Sequence, residues 1–128
     1  MQAPSPSNFQ IMPQLNWMKC TSGNWCDFLN LDLSHSHFDR LEGVYVIWHG
    51  GNNPRYVRVG QGIIRNRLAE HQKDSEILTY RGHGLHVTWA AVSEEFRDGV
   101  ESFLGEQLKP LVGSRFPEVS PIAVNFPR

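Results

Sequence analysis

Residues 43–60 read GVYVIWHGGNNPRYVRVG, and the fold turns on this stretch. GVYVIWHG alternates and is rich in β-branched and aromatic residues, which predicts a strand. GGNNP groups two glycines, two asparagines and a proline into a turn cluster. RYVRVG is then the return strand, and the whole stretch predicts a β-hairpin. By alternation Val44, Val46 and Trp48 share one face, as do Val57 and Val59 on the return strand. That face reads as core. The other face collects Tyr45, Ile47 and His49 with Tyr56, Arg58 and Gly60. Its phenols, imidazole and guanidinium mark it as the face for chemistry.

Downstream, IIRNRLAEHQKD over 63–74 predicts a helix of about three turns. Ile64, Leu68 and His71 fall on one side, with Ile63 and Arg67 close by. Arg65 and Gln72 point elsewhere. Arg67 and His71, spaced i, i+4, therefore lie on or beside the apolar stripe. Two placements fit Arg67: its stem snorkels from the stripe edge, or both residues aim into a cleft. After a loop, DSEILTYRGHG, the run HVTWAAV predicts a third strand. SEEFRDGVESFLGEQLKPLVG, 93–113, predicts a second long helix. Ser93 is its candidate N-cap, Glu94 and Glu95 suit its first turn, and Pro110 marks its end region. Glu101 borders the stripe of Phe96, Val100, Phe103, Leu104, Leu108 and Leu111, so it is the mid-helix acid expected to be half-buried. A pair with Arg97, four residues earlier, is the alternative use of that acid. The tail, RFPEVSPIAVNFPR, reads as extended and brings Asn125 back near the sheet.

Upstream the pattern is weaker. Residues 1–13 hold three prolines and no charge, and are expected to be a flexible arm. Residues 14–42 have aromatics without a clean period and read as a lead-in packed on the domain. Cys20 and Cys26 read as free thiols. A zinc site joining them to His35 and His37 matches none of the common spacings, so structural zinc is not expected. The domain proper is 43–128. The order hairpin, helix, strand, helix predicts an α+β fold, a small three-stranded antiparallel sheet flanked by helices. The net charge of −1 gives no global support for nucleic-acid binding, so any such site must be local. No run is long and apolar enough for a membrane span, and no secretory signal is recognised at the N-terminus. A cytoplasmic protein with no membrane partner is expected.

The unusual positions converge. Tyr45, Arg58, Arg67, His71 and Glu101 supply a phenol, two guanidiniums, an imidazole and one carboxylate. Between Arg55 and Arg67 there are four arginines and no acid, a local positive patch suited to a phosphodiester. One carboxylate can hold one hard cation that completes its shell with water and phosphate oxygens.

These residues resemble the GIY-YIG nuclease superfamily. GVY at 43–45 resembles its first motif, and RVG at 58–60 occupies the second. RNRLAEH resembles the family helix in which an arginine precedes a histidine by four, here Arg67 and His71. VESFLGEQLKPLVG resembles the helix carrying the metal-binding glutamate, here Glu101. VNFP resembles the closing element with its asparagine, here Asn125. The resemblance implies a three-stranded sheet flanked by helices and cleavage of DNA by water with one Mg²⁺ or Mn²⁺ at Glu101. It further implies that Tyr45 is the general base or its relay, that Arg67 binds phosphate, and that His71 assists proton transfer. Tyr80, with His83 as rival, would serve the substrate after this helix. The second family tyrosine is Arg58 here, which can donate to phosphate but cannot relay a proton at neutral pH. A catalytically weak or inactive module of the same fold, binding nucleic acid or protein, is therefore the alternative. A zinc-stabilised interaction domain built on 14–42 is the third. The small chain is expected to take its selectivity from a homodimer or a partner protein.

Overall fold

The computed structural model describes residues 13–128, so the expected flexible arm lies outside the described residues except for Pro13. The predicted hairpin forms. Strand β2 spans Glu42–His49 and β3 spans Arg55–Ile63. They pair antiparallel, with Tyr45 opposite Gly60 and Val46 opposite Val59. Strand β4, Leu85–Ala91, pairs on the other side of β2.

The expected three strands are four. Strand β1, Cys26–Asp27, comes from the lead-in and pairs antiparallel with Val87 and His86 of β4. The sheet order is β1-β4-β2-β3, which leaves β3 at an edge. Further along the lead-in, the amide of Met18 donates to the Trp89 carbonyl at 3.0 Å and the Thr88 hydroxyl donates to the Met18 carbonyl at 2.7 Å. Two residues of strand leave no periodicity to read, which is why this element escapes a reading by pattern. Cys20 and Cys26 are not free thiols; they are joined as a disulfide. That pairing removes both thiolates from the zinc alternative.

The expectation of one core face and one polar face is also corrected. A β-bulge shifts the register between Ile47 and Trp48, so that Trp48 faces Tyr56 across the hairpin. Val57 and Tyr56 exchange the faces that strict alternation assigns them. Val57 joins the Tyr45, Ile47, Ile64 and Leu68 cluster, while Tyr56 packs with Val44, Val46, Trp25 and Trp48. Both faces of the sheet are covered.

Helix α1 is Ile64–His71, shorter than expected at both ends: β3 keeps its strand geometry through Ile63, and residues 72 and 73 form a turn before Asp74 caps the next helix. It lays Ile64 and Leu68 on the Tyr45 face. A short helix, α2, Ser75–Leu78, lies within the expected loop, capped by the Asp74 carboxylate accepting from the Glu76 amide. Helix α3, Glu94–Leu108, lays Val100 and Leu104 on the opposite face. Its Ser93 precedes it in extended conformation without a side-chain cap bond. Gly99 and Gly105 let Ile122 and Phe116 of the tail approach α3 where a Cβ would overlap them. The tail thus closes over α3 as a layer. Among the described residues, no helix is long and apolar enough to cross a membrane.

Candidate functional site

The site grows from the close pairing of Tyr45 with Gly60. Tyr45 is wholly buried, and its hydroxyl lies over Gly60, where a Cβ would overlap the ring and the oxygen. Only a glycine leaves the phenol that space. The last turn of α1 brings His71 to it: Tyr45 Oη stands 2.5 Å from His71 Nε2. Burial pushes the Tyr45 phenol up from its ordinary value, against the pull of the Arg67 and Arg58 charges. Burial pushes His71 down to about 4, helped by the Arg58 and Arg67 charges and opposed by Asp74. Both groups are therefore neutral at pH 7 and share one hydrogen bond, in which the phenol donates when the imidazole carries its proton on Nδ1.

Two guanidinium groups flank this pair. Arg67 Nη1 reaches Glu70, one turn on, at 3.4 Å and the side chain remains about a third exposed. Its stem passes over Gly62, whose φ of +130° is open to glycine. Arg58 extends from β3 towards Gly113, where a Cβ would overlap its guanidinium. The Nε atoms of Arg58 and Arg67 are both buried without a hydrogen-bond partner among the described residues. A buried donor without an acceptor costs free energy unless a ligand or water supplies one. Two such donors stand beside one neutral pair, with the Arg67 charge partly met by Glu70.

Glu101 stands on the other side of β3. Gln61 Nε2 donates to it at 2.9 Å and to Asp98 at 2.6 Å. Burial raises the Glu101 carboxyl above its ordinary value; the Gln61 bond and the Arg58 and Arg67 charges pull it back, and Asp98 pushes it further up. Arg97 does not use Glu101. It is buried and pairs with Glu42 at 2.9 Å. So the edge strand β3 carries Arg58, Gly60 and Gln61 between the Tyr45–His71 pair and the Glu101 carboxylate. Oxygen donors of this kind suit a hard cation, and Mg²⁺ is commonly held by one or two carboxylates. Among the described residues no three His, Cys, Asp or Glu side chains converge as a ready cage. Any cation here would rest on Glu101, with Asp98 beside it, and on substrate oxygens.

The structure brings together Tyr45, Arg58, Arg67 and His71, with Glu101 within reach of the same charges. It does not bring Tyr80 or Asn125 to them. Tyr80 stacks on His49 at 5.4 Å, with His83 4.9 Å from His49 on a cavity of about 800 Å³ at the turn end of the hairpin. His49 is about 13 Å along the strand from Tyr45. Asn125 spends its amide on Leu15: Oδ1 accepts from the Leu15 amide at 2.6 Å and Nδ2 donates to its carbonyl at 3.0 Å. Its carbonyl accepts from the Trp17 indole at 2.9 Å, so Asn125 ties tail to lead-in. Pattern reading passed over Gln61 and Asp98. Asp98 was legible as the i−3 neighbour of Glu101 on one helix face. Gln61 carried no signal, since its use depends on which face of β3 meets α3. Arg65 points away as expected, donating to the Leu33 and His35 carbonyls and to Asp39.

No protein-family model matches the chain, and it has no significant match among curated proteins or solved structures.

Proposed function

We propose that the chain hydrolyses phosphodiester bonds of nucleic acid, DNA in the first place, in the manner of the GIY-YIG nucleases. The observation that carries the reading is the neutral Tyr45–His71 pair at 2.5 Å, flanked by two guanidiniums whose buried Nε donors lack partners. A phosphate is the acceptor those donors fit. On this reading Arg58 and Arg67 hold the non-bridging oxygens and meet the charge that builds on phosphorus. Once substrate binding opens the buried phenol to water, the attacking water gives its proton to Tyr45 as Tyr45 gives its own to His71. The bond from water oxygen to phosphorus forms, the bond to the leaving sugar oxygen breaks, and solvent protonates that oxygen. Glu101 would hold one Mg²⁺ or Mn²⁺, which supplies Lewis-acid stabilisation of the phosphoryl oxygens.

His71 is a weak base first because it is buried and then because the Arg58 and Arg67 charges face it. A bound phosphate cancels part of that charge and moves the imidazole back towards its ordinary range.

The second reading is a catalytically weak or inactive binding module of the same fold. Arg58 favours it, since a guanidinium in the second motif binds an anion but offers no proton. Selectivity through a second copy or a partner protein goes with either reading. A cytoplasmic location also remains part of the proposal; the Cys20–Cys26 bond is the feature that argues against it, because reducing compartments keep thiols apart.

Nicking of supercoiled plasmid in Mg²⁺ or Mn²⁺, beside EDTA and Glu101→Gln, separates the two readings. Metal-dependent nicking lost in the variant supports hydrolysis. Intact plasmid with folded wild-type protein removes the hydrolase reading and leaves the binding module.

A further inference from the structure

A second concavity, of about 280 Å³, opens on the opposite face of the sheet. Trp25, Trp48 and Tyr56 supply its rings, Pro54 and Pro127 its rim, and Arg55 its charge. Trp25 and Trp48 meet edge to face with centroids 5.3 Å apart, which makes a corner of two perpendicular aromatic walls. The Lys19 ammonium lies 4.5 Å from the Trp25 ring centre. None of the lining residues is acidic. The Cys20–Cys26 bond and the pairing of Cys26 with Val87 fix the segment that presents Trp25. The bulge that turns Tyr56 over completes the corner.

We propose that this corner binds one unpaired nucleotide of a nucleic-acid strand, its base on the aromatic walls and its phosphate towards Arg55. Three features select this occupant. Aromatic side chains take bases by stacking without regard to sequence. The volume lies at the small end for ligand pockets and suits one planar ring system. The Arg55 guanidinium, with no acid in the lining, answers an anion attached to that ring, which a proline-rich peptide would not carry. Arg55 lies three residues from Arg58 on the same edge strand, and the bulge between them leaves two ladder steps, about 7 Å along the strand. A strand crossing this edge would thus meet the stacking corner and the phosphate site within about two nucleotides of each other. The proposal rests on the nucleic-acid reading above and deepens it: the substrate is a junction or end where bases are unpaired, not uniform duplex.

The test is fluorescence anisotropy of a labelled twelve-nucleotide single strand and of the matching blunt duplex, in EDTA so that nothing is cut. The wild type is expected to bind the single strand more tightly. Trp25→Ala and Arg55→Glu should each weaken that binding by about tenfold. Arg55→Glu should also flatten the dependence of log K on log salt, by about 0.7 for each phosphate no longer neutralised. Arg55 is exposed, so its variant stays informative if Trp25→Ala fails to fold. Equal affinity for strand and duplex, variants that bind like wild type, or displacement of the strand by a proline-rich peptide would each overturn the proposal. The nicking assay fails separately: a protein that cuts yet ignores unpaired bases loses this inference alone, and one that binds them without cutting loses only the hydrolase reading.

Discussion

A phenol with no exposed surface and an imidazole crowded by two guanidiniums share one hydrogen bond, and burial keeps both neutral. His71 carries a stability consequence with a definite sign. Above pH 6.5 both folded and unfolded chains hold a neutral ring. Below it the unfolded chain takes up a proton that the folded site refuses until about pH 4, so stability falls across that window. Urea melts between pH 7 and 4 should show a steeper loss for wild type than for His71→Gln; parallel curves would remove the depressed imidazole from the account. Gly60 is the second test at this scale. Gly60→Ala drives a methyl into Tyr45, and should both destabilise the fold, by about 1–3 kcal/mol, and uncouple the relay. A variant as stable and active as wild type would show that the strand yields freely there. Tyr45, Arg67 and His71 were legible because strand alternation and i, i+4 spacing fix direction locally. Asn125 and Tyr80 were not, because their partners, Leu15 and His49, lie far off in sequence and are set only by the closed fold.

At the level of elements, the hairpin and both long helices follow from composition and period. What escaped was long-range. The two residues of β1 pair only because the lead-in runs back along β4. The bulge that sends Tyr56 to one face and Val57 to the other replaces the period of two at one point, and nothing in RYVRVG announces it. The disulfide belongs to this scale as well. It closes a loop of six residues' separation, a constraint on the unfolded chain worth about 2 kcal/mol. Denatured protein should show no reactive thiol before reduction and two after it. Cys20→Ser with Cys26→Ser should lower the urea midpoint accordingly. Two reactive thiols in unreduced protein would contradict the pairing and return both cysteines to the free state.

Taken whole, the molecule sandwiches one four-stranded sheet between α1 with Phe28 and Phe38 of the lead-in on one face and α3 with the tail, Trp17 and Trp25 on the other. The edge strand β3 is where the layers meet the outside. It presents Arg58 and Gly60 to the relay, Gln61 to the Glu101 carboxylate, and Arg55 and Tyr56 to the aromatic corner. On the proposed function, a near-neutral chain would hold a polyanion there through positive charge that is local.

The measurement that tests the central claim most directly is the rate of phosphodiester cleavage by Tyr45→Phe, with substrate affinity measured beside it. The account predicts a rate lower by about 10²–10⁴-fold at nearly unchanged affinity, because the phenol moves a proton and does not hold the phosphate. A variant that cuts as fast as wild type, or that loses affinity in step with rate, would contradict the relay on which the proposed chemistry rests.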